Sequence, residues 1–180
     1  MESLNIMLFD KINGLAVTHL ILNNFMIFIA KYVVFIIPII LVFLLIRKDY
    51  KNFLFVGSSI ALALLIGYIT KDLFYHPRPF AMGLGYDLVK DSNTSSFPSN
   101  HTVAMFALAT ALFLIDKRLI GAISLIFAVL VGVSRVYIGV HFPFDVLGGI
   151  VYGVALTLLF YLIFPKIYEI LAKRYNLKGA

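Results

Sequence analysis

Long apolar runs separated by short polar segments dominate the sequence. Five of these runs are long enough, or nearly long enough, to cross a hydrocarbon core, which needs roughly 17–25 residues. They cover about residues 24–46, 52–70, 101–115, 119–133 and 143–164. The third and fourth reach full length only if polar residues at their ends face a cavity inside the bundle. The pattern predicts an all-α, polytopic transmembrane bundle of five spans that forms a single domain over residues 1–180.

The N-terminal segment, residues 1–22, is less apolar than these runs. It carries Asp10, Lys11, Asn13 and His19 among apolar residues. Glu2 stands where a signal peptide carries basic residues, and no small-residue cleavage site follows, so no cleaved signal peptide is predicted. We expect an amphipathic helix that lies in the outer membrane interface. A sixth span is the alternative.

The composition excludes an ordinary soluble globular domain. The chain is 62% hydrophobic and only 13% charged, whereas soluble domains are about 45–50% apolar and about 25% charged. The net charge of +6 comes from short clusters beside apolar runs. Because no basic stripe is interleaved with aromatic residues, nucleic acid is not a predicted partner. The chain has no cysteine, which excludes disulfides and thiolate metal sites.

Three basic clusters predict the orientation of the spans. They follow the first run, join the third to the fourth, and end the chain: Arg47, Lys48 and Lys51; Lys117 and Arg118; Lys166, Lys173, Arg174 and Lys178. Since cytoplasmic loops are enriched in Lys and Arg, all three are predicted to be cytoplasmic. The outer loop, residues 71–100, and the connection at residues 134–142 are then predicted to lie on the opposite face.

Polar segments on that opposite face supply the candidate chemistry, because polar groups at membrane depth are costly and indicate function. The first contains Lys71 and Arg78, and Pro77 and Pro79 restrict the backbone around the arginine. A guanidinium fork matches two phosphate oxygens, whereas an ammonium group acts as a compact point charge. The alternative is that both cations snorkel at a membrane boundary.

The second polar segment, Pro98-Ser99-Asn100-His101, opens the third apolar run. Proline and small polar residues are typical of a helix start. Free N–H groups there, with the helix dipole behind them, form an anion site. His101 would lie at the anion, where it can give a proton to a leaving oxygen. A capping turn with a bystander histidine is the alternative.

The third polar segment is Ser134-Arg135 followed by His141 and Asp145. Positions four apart at a helix start share a face, so the carboxylate can reach the imidazole. A carboxylate bonded to one ring nitrogen fixes the tautomer and leaves the other nitrogen as a nucleophile. A structural His–Asp pair is one alternative. Zinc is another, with His76, His101, His141 and Asp145 as ligands, although no paired-ligand spacing such as HExxH supports it.

Together, Lys71-x6-Arg78-Pro79, Pro98-Ser99-Asn100-His101 and Ser134-Arg135-x5-His141-x3-Asp145 resemble the three-part signature of the type 2 phosphatidic acid phosphatase (PAP2) superfamily. The second motif of this family usually reads Pro-Ser-Gly-His, so Asn100 replaces a glycine. Asparagine tolerates a left-handed backbone, and its side chain changes what the pocket accepts. This replacement, the small size, the short outer loop and the segment at residues 9–14 resemble the bacterial undecaprenyl-diphosphatase branch, which is associated with bacitracin resistance.

The resemblance implies a role for each candidate. His141 would attack phosphorus and form a phosphohistidine, Asp145 would orient it, and His101 would protonate the leaving group and help to activate water. The phosphate would be bound by Lys71, Arg78, Ser99, Asn100 and Arg135. No metal or other cofactor is implied, because cations already provide the electrostatic clamp.

The implied substrate is undecaprenyl diphosphate, hydrolysed to undecaprenyl phosphate and phosphate on the extracytoplasmic face of a bacterial plasma membrane. A phosphatase for phosphatidylglycerophosphate or phosphatidate is the enzymatic alternative, and a transporter or structural membrane protein the other. Membrane lipids are the expected surroundings. The oligomeric state is left open.

Overall fold

The computed structural model describes residues 2–92 and 94–175, and across these residues it is helical with no β-strand. It contains seven α-helices and three short 3₁₀ turns. The helices are α1 (Glu2–Asn13), α2 (Leu20–Tyr32), α3 (Ile36–Ile46), α4 (Tyr50–Leu73), α5 (Asn100–Leu114), α6 (Arg118–Tyr137) and α7 (Pro143–Tyr175). The 3₁₀ turns are Gly14–Val17, Val33–Phe35 and Phe80–Met82.

Within the described part of the chain, four helical stretches are long and apolar enough to cross a membrane. They are Leu20–Ile46, which joins α2 to α3 through a 3₁₀ turn, then Tyr50–Leu73, Arg118–Tyr137 and Pro143–Arg174. At 15 residues, α5 extends only about 22 Å, short of a hydrocarbon core of about 30 Å. The predicted class, an all-α transmembrane bundle, is confirmed. The count of five or six spans stays a prediction.

Helix α5 is short but lies at the centre of the bundle, packed against α4, α6 and α7. Its residues from Thr102 to Ala109 are all buried. Glycines of α7 permit this close approach: a Cβ at Gly153 would lie 2.6 Å from the Val103 carbonyl oxygen, and one at Gly149 would lie 2.9 Å from the Ser99 carbonyl oxygen. The start of α5, which carries the second polar segment, is therefore held inside the bundle.

The three polar segments meet at one end of the bundle. The Ser99 N–H donates to the carbonyl of Asp145 (3.0 Å), and the Leu88 N–H donates to that of Ile138 (3.1 Å). These bonds connect the loop after α4 to the end of α6 and to the first turn of α7. The predicted grouping of residues 71–100 and 134–142 on one face of the bundle thus agrees with their positions.

Helix α1 packs beneath this end of the bundle. The Asn5 Oδ1 accepts the Phe144 N–H (3.0 Å) at the start of α7, and the rings of Phe9 and Phe142 meet edge to face at 5.3 Å. The predicted interfacial role of residues 1–22 remains a prediction. One side of α1 packs against the segment that carries His141.

Basic side chains gather at the other end. Arg47, Lys48 and Lys117 line one cavity there, and the Lys51 Nζ lies 5.8 Å from the ring centroid of Tyr168 on α7. Lys178, the last of the predicted cytoplasmic cations, lies outside the described residues. The described members of all three basic clusters therefore lie away from the polar segments.

Candidate active site

A cavity of about 570 Å³ opens between the ends of α4, α5 and α6 and the two loops. Six of the eight predicted site residues line it: Lys71, Arg78, Asn100, His101, Arg135 and His141. The other two, Ser99 and Asp145, lie behind its wall and are almost fully buried. The fold thus brings residues that are up to 74 positions apart into one place.

His141 lies in the connection between α6 and α7, and Asp145 lies in the first turn of α7. The His141 Nδ1 is 3.5 Å from the Asp145 Oδ2, which is long for a direct hydrogen bond. The Ser96 hydroxyl lies beside both groups: its Oγ is 3.2 Å from Nδ1, and it donates a short hydrogen bond to the same carboxylate oxygen. This network assigns the Nδ1–H tautomer, so that Nε2 is the ring nitrogen left for the cavity.

The sequence did not single out Ser96, which lies three positions before Ser99 in the loop. A serine among other polar loop residues carries no distinguishing pattern. Its position depends on a chain of contacts, because the Ser96 N–H donates to the His76 carbonyl (2.7 Å) and the Lys71 Nζ donates to the Ser96 carbonyl (3.2 Å). Only the folded loop places this hydroxyl next to His141.

The protonation state of His141 follows from its burial. Burial lowers its pKa to about 3, although the contact with Asp145 acts in the opposite direction. The Asp145 Oδ2 also accepts the Phe142 N–H at 2.7 Å, which further stabilises the carboxylate. At neutral pH the imidazole is therefore uncharged, and its Nε2 carries the lone pair that a nucleophile requires.

Two of the three cations also hold the loop after α4. The Lys71 Nζ donates to the carbonyl of Ser95 (2.6 Å) as well as to that of Ser96. The Arg78 guanidinium donates through Nε to the Thr94 carbonyl (3.1 Å), through Nη2 to the Thr94 hydroxyl (3.2 Å), and through Nη1 to the Val140 carbonyl (3.3 Å). Most of the N–H donors of Lys71 and Arg78 are thus already bonded to acceptors of the protein.

Arg135, at the end of α6, has more donors to spare. It pairs with Asp91, whose Oδ2 accepts from the Arg135 Nη2 at 2.7 Å and from the Arg78 Nη1 at 3.0 Å. The Arg135 Nε is buried and has no hydrogen-bond partner among the described residues. An unpaired buried N–H is costly, so this donor is suited to an anion in the cavity.

The second polar segment forms the start of α5. Ser99 precedes the helix with an extended backbone, and its hydroxyl accepts from the Thr102 hydroxyl (3.0 Å) in the protein interior. Its predicted contact with phosphate stays a prediction. The Asn100 Oδ1 is buried without a partner in the described structure, beside Gly67, where an added Cβ would lie 3.3 Å from it.

The zinc alternative has no ligand set. The His76 Nδ1 approaches the Asp145 Oδ1 at 3.6 Å, but residues 2–92 and 94–175 contain no group of three or more His, Cys, Asp or Glu side chains able to hold a metal ion. The site instead combines a neutral imidazole, a second histidine and three cations, which suits transfer of a phosphoryl group.

Known proteins are similar to this chain in sequence and in fold. Residues 52–169 match the PAP2 superfamily. The undecaprenyl-diphosphatase BcrC of Bacillus subtilis is 32% identical over 161 residues, which cover 88% of this chain and 83% of that protein.

Two solved structures superimpose on the fold. LpxE of Aquifex aeolicus gives a TM-score of 0.74 at 34% identity and covers 87% of this chain and 93% of its own. A PAP2-type phosphatidylglycerolphosphate phosphatase of Bacillus subtilis gives 0.74 at 25% identity, with coverage of 92% and 87%. The matched range contains all three polar segments, and the family predicted from them is confirmed: the chain belongs to the PAP2 superfamily.

Proposed function

We propose that this protein hydrolyses undecaprenyl diphosphate to undecaprenyl phosphate and inorganic phosphate through a phosphohistidine. One observation carries the chemistry: a buried, neutral His141 borders a cavity lined by three cations. The similarity to BcrC over most of both chains supports the choice of lipid.

In the first step, the Nε2 of His141 attacks the terminal phosphorus, and the bond from this phosphorus to the bridging oxygen breaks. Positive charge develops on the imidazole, and the Ser96 hydroxyl and the Asp145 carboxylate stabilise it through Nδ1–H. His101, which is protonated when the anionic diphosphate lies beside it, donates this proton to the leaving oxygen. The cations Lys71, Arg78 and Arg135 stabilise the charge spread over the phosphoryl oxygens.

In the second step, water attacks the phosphohistidine and the P–N bond breaks. His101, neutral after the first step, accepts a proton from the water, and His141 leaves as a neutral imidazole. Inorganic phosphate and free enzyme result. Asn100 and the start of α5 border the phosphate throughout, and Ser99 contributes from the same turn, as the family resemblance implies.

The proposed location is a bacterial plasma membrane, with the cavity on the extracytoplasmic face. Its support is the separation of charge: the basic clusters lie at the opposite end of the bundle, and basic loops favour the cytoplasm. In this arrangement residues 1–180 form one phosphatase domain, residues 71–100 form the outer loop, and residues 1–22 lie in the outer interface. Tyr68 and Tyr75 line the cavity and are exposed, as suits residues at a lipid headgroup boundary.

A glycerophospholipid phosphatase is the second candidate, because the phosphatidylglycerolphosphate phosphatase of Bacillus subtilis shares the fold. The test is phosphate release by the purified protein from undecaprenyl diphosphate, phosphatidylglycerophosphate and phosphatidate. We expect undecaprenyl diphosphate to give the highest kcat/KM, and His141→Ala to abolish release from every substrate. His19→Ala, which removes an exposed histidine outside the cavity, is the matched control.

A preference for phosphatidylglycerophosphate would replace the proposed substrate. Release from none of the three by a folded protein would favour the transporter or structural alternative. Release that persists in His141→Ala would contradict the assigned nucleophile.

A further inference from the structure

Asp91 is an anion inside the cavity that the proposed chemistry does not use. It lies in the loop between α4 and α5 and lines the same cavity as His101 and His141. One of its oxygens, Oδ2, bridges the Arg78 Nη1 (3.0 Å) and the Arg135 Nη2 (2.7 Å). The two guanidiniums expose only 6% of their side chains, and Asp91 exposes 25% of its own. The Asp91 carboxylate is thus more exposed than either of the two guanidiniums that it contacts.

Asp91 contacts only one of the two nitrogens on one edge of the Arg135 guanidinium. The Nε and Nη2 of an arginine form a fork that matches two oxygens of a carboxylate or phosphate. Asp91 takes Nη2, while the buried Nε has no partner among the described residues. A phosphate that binds this fork with two oxygens must therefore meet the Asp91 Oδ2 at Nη2.

Asp91 is ionised at neutral pH. Burial raises its pKa, but the charges of Arg78 and Arg135 outweigh burial and hold the pKa below the usual range for aspartate. Its Oδ1 accepts the Ser92 N–H (2.8 Å). A phosphate in the same place would therefore face a full negative charge.

Arg78 does not depend on Asp91 for its position, because Thr94 accepts from its Nε and Nη2, and the Val140 carbonyl also accepts from Nη1. Arg135 does contact Asp91, but an asparagine there could still offer an oxygen to the same Nη2. The charge of Asp91 and its role as a hydrogen-bond acceptor can thus be separated by substitution.

We propose that Asp91 is an internal counter-anion that competes with phosphate for Arg135 and so sets the affinity of the site for phosphate. It offsets part of the charge of two buried guanidiniums whenever no phosphate is bound, since an unpaired buried charge is costly. It also weakens the hold of the three cations on the product. The proposal rests on the assignment of this cavity as the phosphate site of the proposed function.

The test measures binding of inorganic phosphate to the full-length protein in detergent micelles by isothermal titration calorimetry at pH 7. We expect Asp91→Asn to bind phosphate about tenfold more tightly than the wild type, because a like charge beside the anion is removed. Asp91→Ser, which also removes the charge, should shift the affinity in the same direction. Asp87→Asn is the matched control: Asp87 is exposed in the same loop and forms no ion pair with either arginine in the described structure.

Weaker or unchanged phosphate binding in Asp91→Asn would overturn the proposal, since it would show that Asp91 only positions Arg135. Equal tightening in Asp87→Asn would overturn it too, because loop charge alone would then suffice. In the hydrolysis assay, the inhibition constant of phosphate and the KM should both fall in Asp91→Asn. Since the probe is inorganic phosphate, tighter binding without hydrolysis of undecaprenyl diphosphate would count against the proposed substrate and leave the role of Asp91 in place.

Discussion

The two ends of the bundle carry similar charged side chains in opposite environments. At the end with the cavity, Lys71, Arg78 and Arg135 are at most 9% exposed and are held by loop carbonyls and by Asp91. At the other end, Arg118 pairs with Asp116 at 2.8 Å, but their side chains are 83% and 80% exposed. An exposed pair contributes little to stability, whereas buried cations need partners.

This difference in burial distinguishes the cations of the candidate site from the cations that favour one orientation of the protein in the membrane. Exposed cations at a membrane boundary are expected from the distribution of charge between loops alone. Buried cations that converge with two histidines on one cavity are costly, and the proposed binding of phosphate would account for that cost. Substitutions at equivalent residue types in the two ends should therefore have very unequal effects on activity.

The largest difference is expected for arginine. Arg135→Ala should lower kcat/KM by about 10²–10³-fold, because a preorganised donor to the transition-state oxygens is lost. Arg118→Ala, at the exposed end, should change kcat/KM by less than about twofold, since its ion pair is solvated. Phosphate release from undecaprenyl diphosphate measures both. A comparable loss of kcat/KM in the two variants would contradict a functional difference between the two ends of the bundle.

A smaller loss is expected for Ser96→Ala. The hydroxyl beside the His141 Nδ1 disappears, but the Asp145 Oδ2 remains 3.5 Å away, so we expect kcat to fall about 10- to 100-fold with little change in KM. Ser124→Ala, which removes a buried serine hydroxyl of α6 with no partner in the described structure, is the control. An unchanged kcat in Ser96→Ala would remove Ser96 from the network that orients His141.

The smallest effect on activity is expected for Asn13→Ala. The Asn13 side chain donates to the carbonyls of Tyr86 and Tyr137 (2.8 Å each) and accepts the Tyr86 N–H (2.7 Å). Their loss leaves three backbone groups unpaired, of which the Tyr137 carbonyl is in a buried bond and the two Tyr86 groups are in partly buried ones. The substitution should lower the free energy of unfolding by about 2–4 kcal/mol, while activity falls only a few-fold.

Asn52→Ala is the matched variant at the opposite end, where the Asn52 Nδ2 donates to the Asp49 Oδ2 (2.9 Å). We expect it to cost less than about 1 kcal/mol, because this bond is only partly buried. Unfolding in a denaturing detergent compares the two. Equal destabilisation would show that α1 does not support the loop at the cavity end.

The sequence was sufficient for the fold class, the family and six of the residues that line the cavity. Apolar runs directly reflect membrane spans, and costly polar residues at their ends stand out against them. Lys71, Arg135 and His141 could be found because each lies in or next to a helix whose position the apolar pattern defines. The N-terminal helix was also expected, but its contacts through Asn5 and Asn13 were not.

Two other residues could not be found from the sequence. Ser96 and Asp91 lie in the loop between α4 and α5, where no periodicity fixes which side chains point inward. Their positions depend on contacts with residues distant in the chain, such as Lys71, Arg135 and Asp145. The same limit applies to the span count, because the length of α5 does not reveal how it is placed in the bilayer.

In the proposed reaction the Nε2 of His141 carries the phosphoryl group during turnover. Its most direct test is rapid alkaline quenching of the wild-type protein during hydrolysis of undecaprenyl diphosphate, followed by mass spectrometry of the peptides. We predict a phosphorylated His141 that forms and decays within the turnover time and is absent from His141→Ala. Phosphate on another side chain, or turnover without any phosphorylated enzyme, would contradict it.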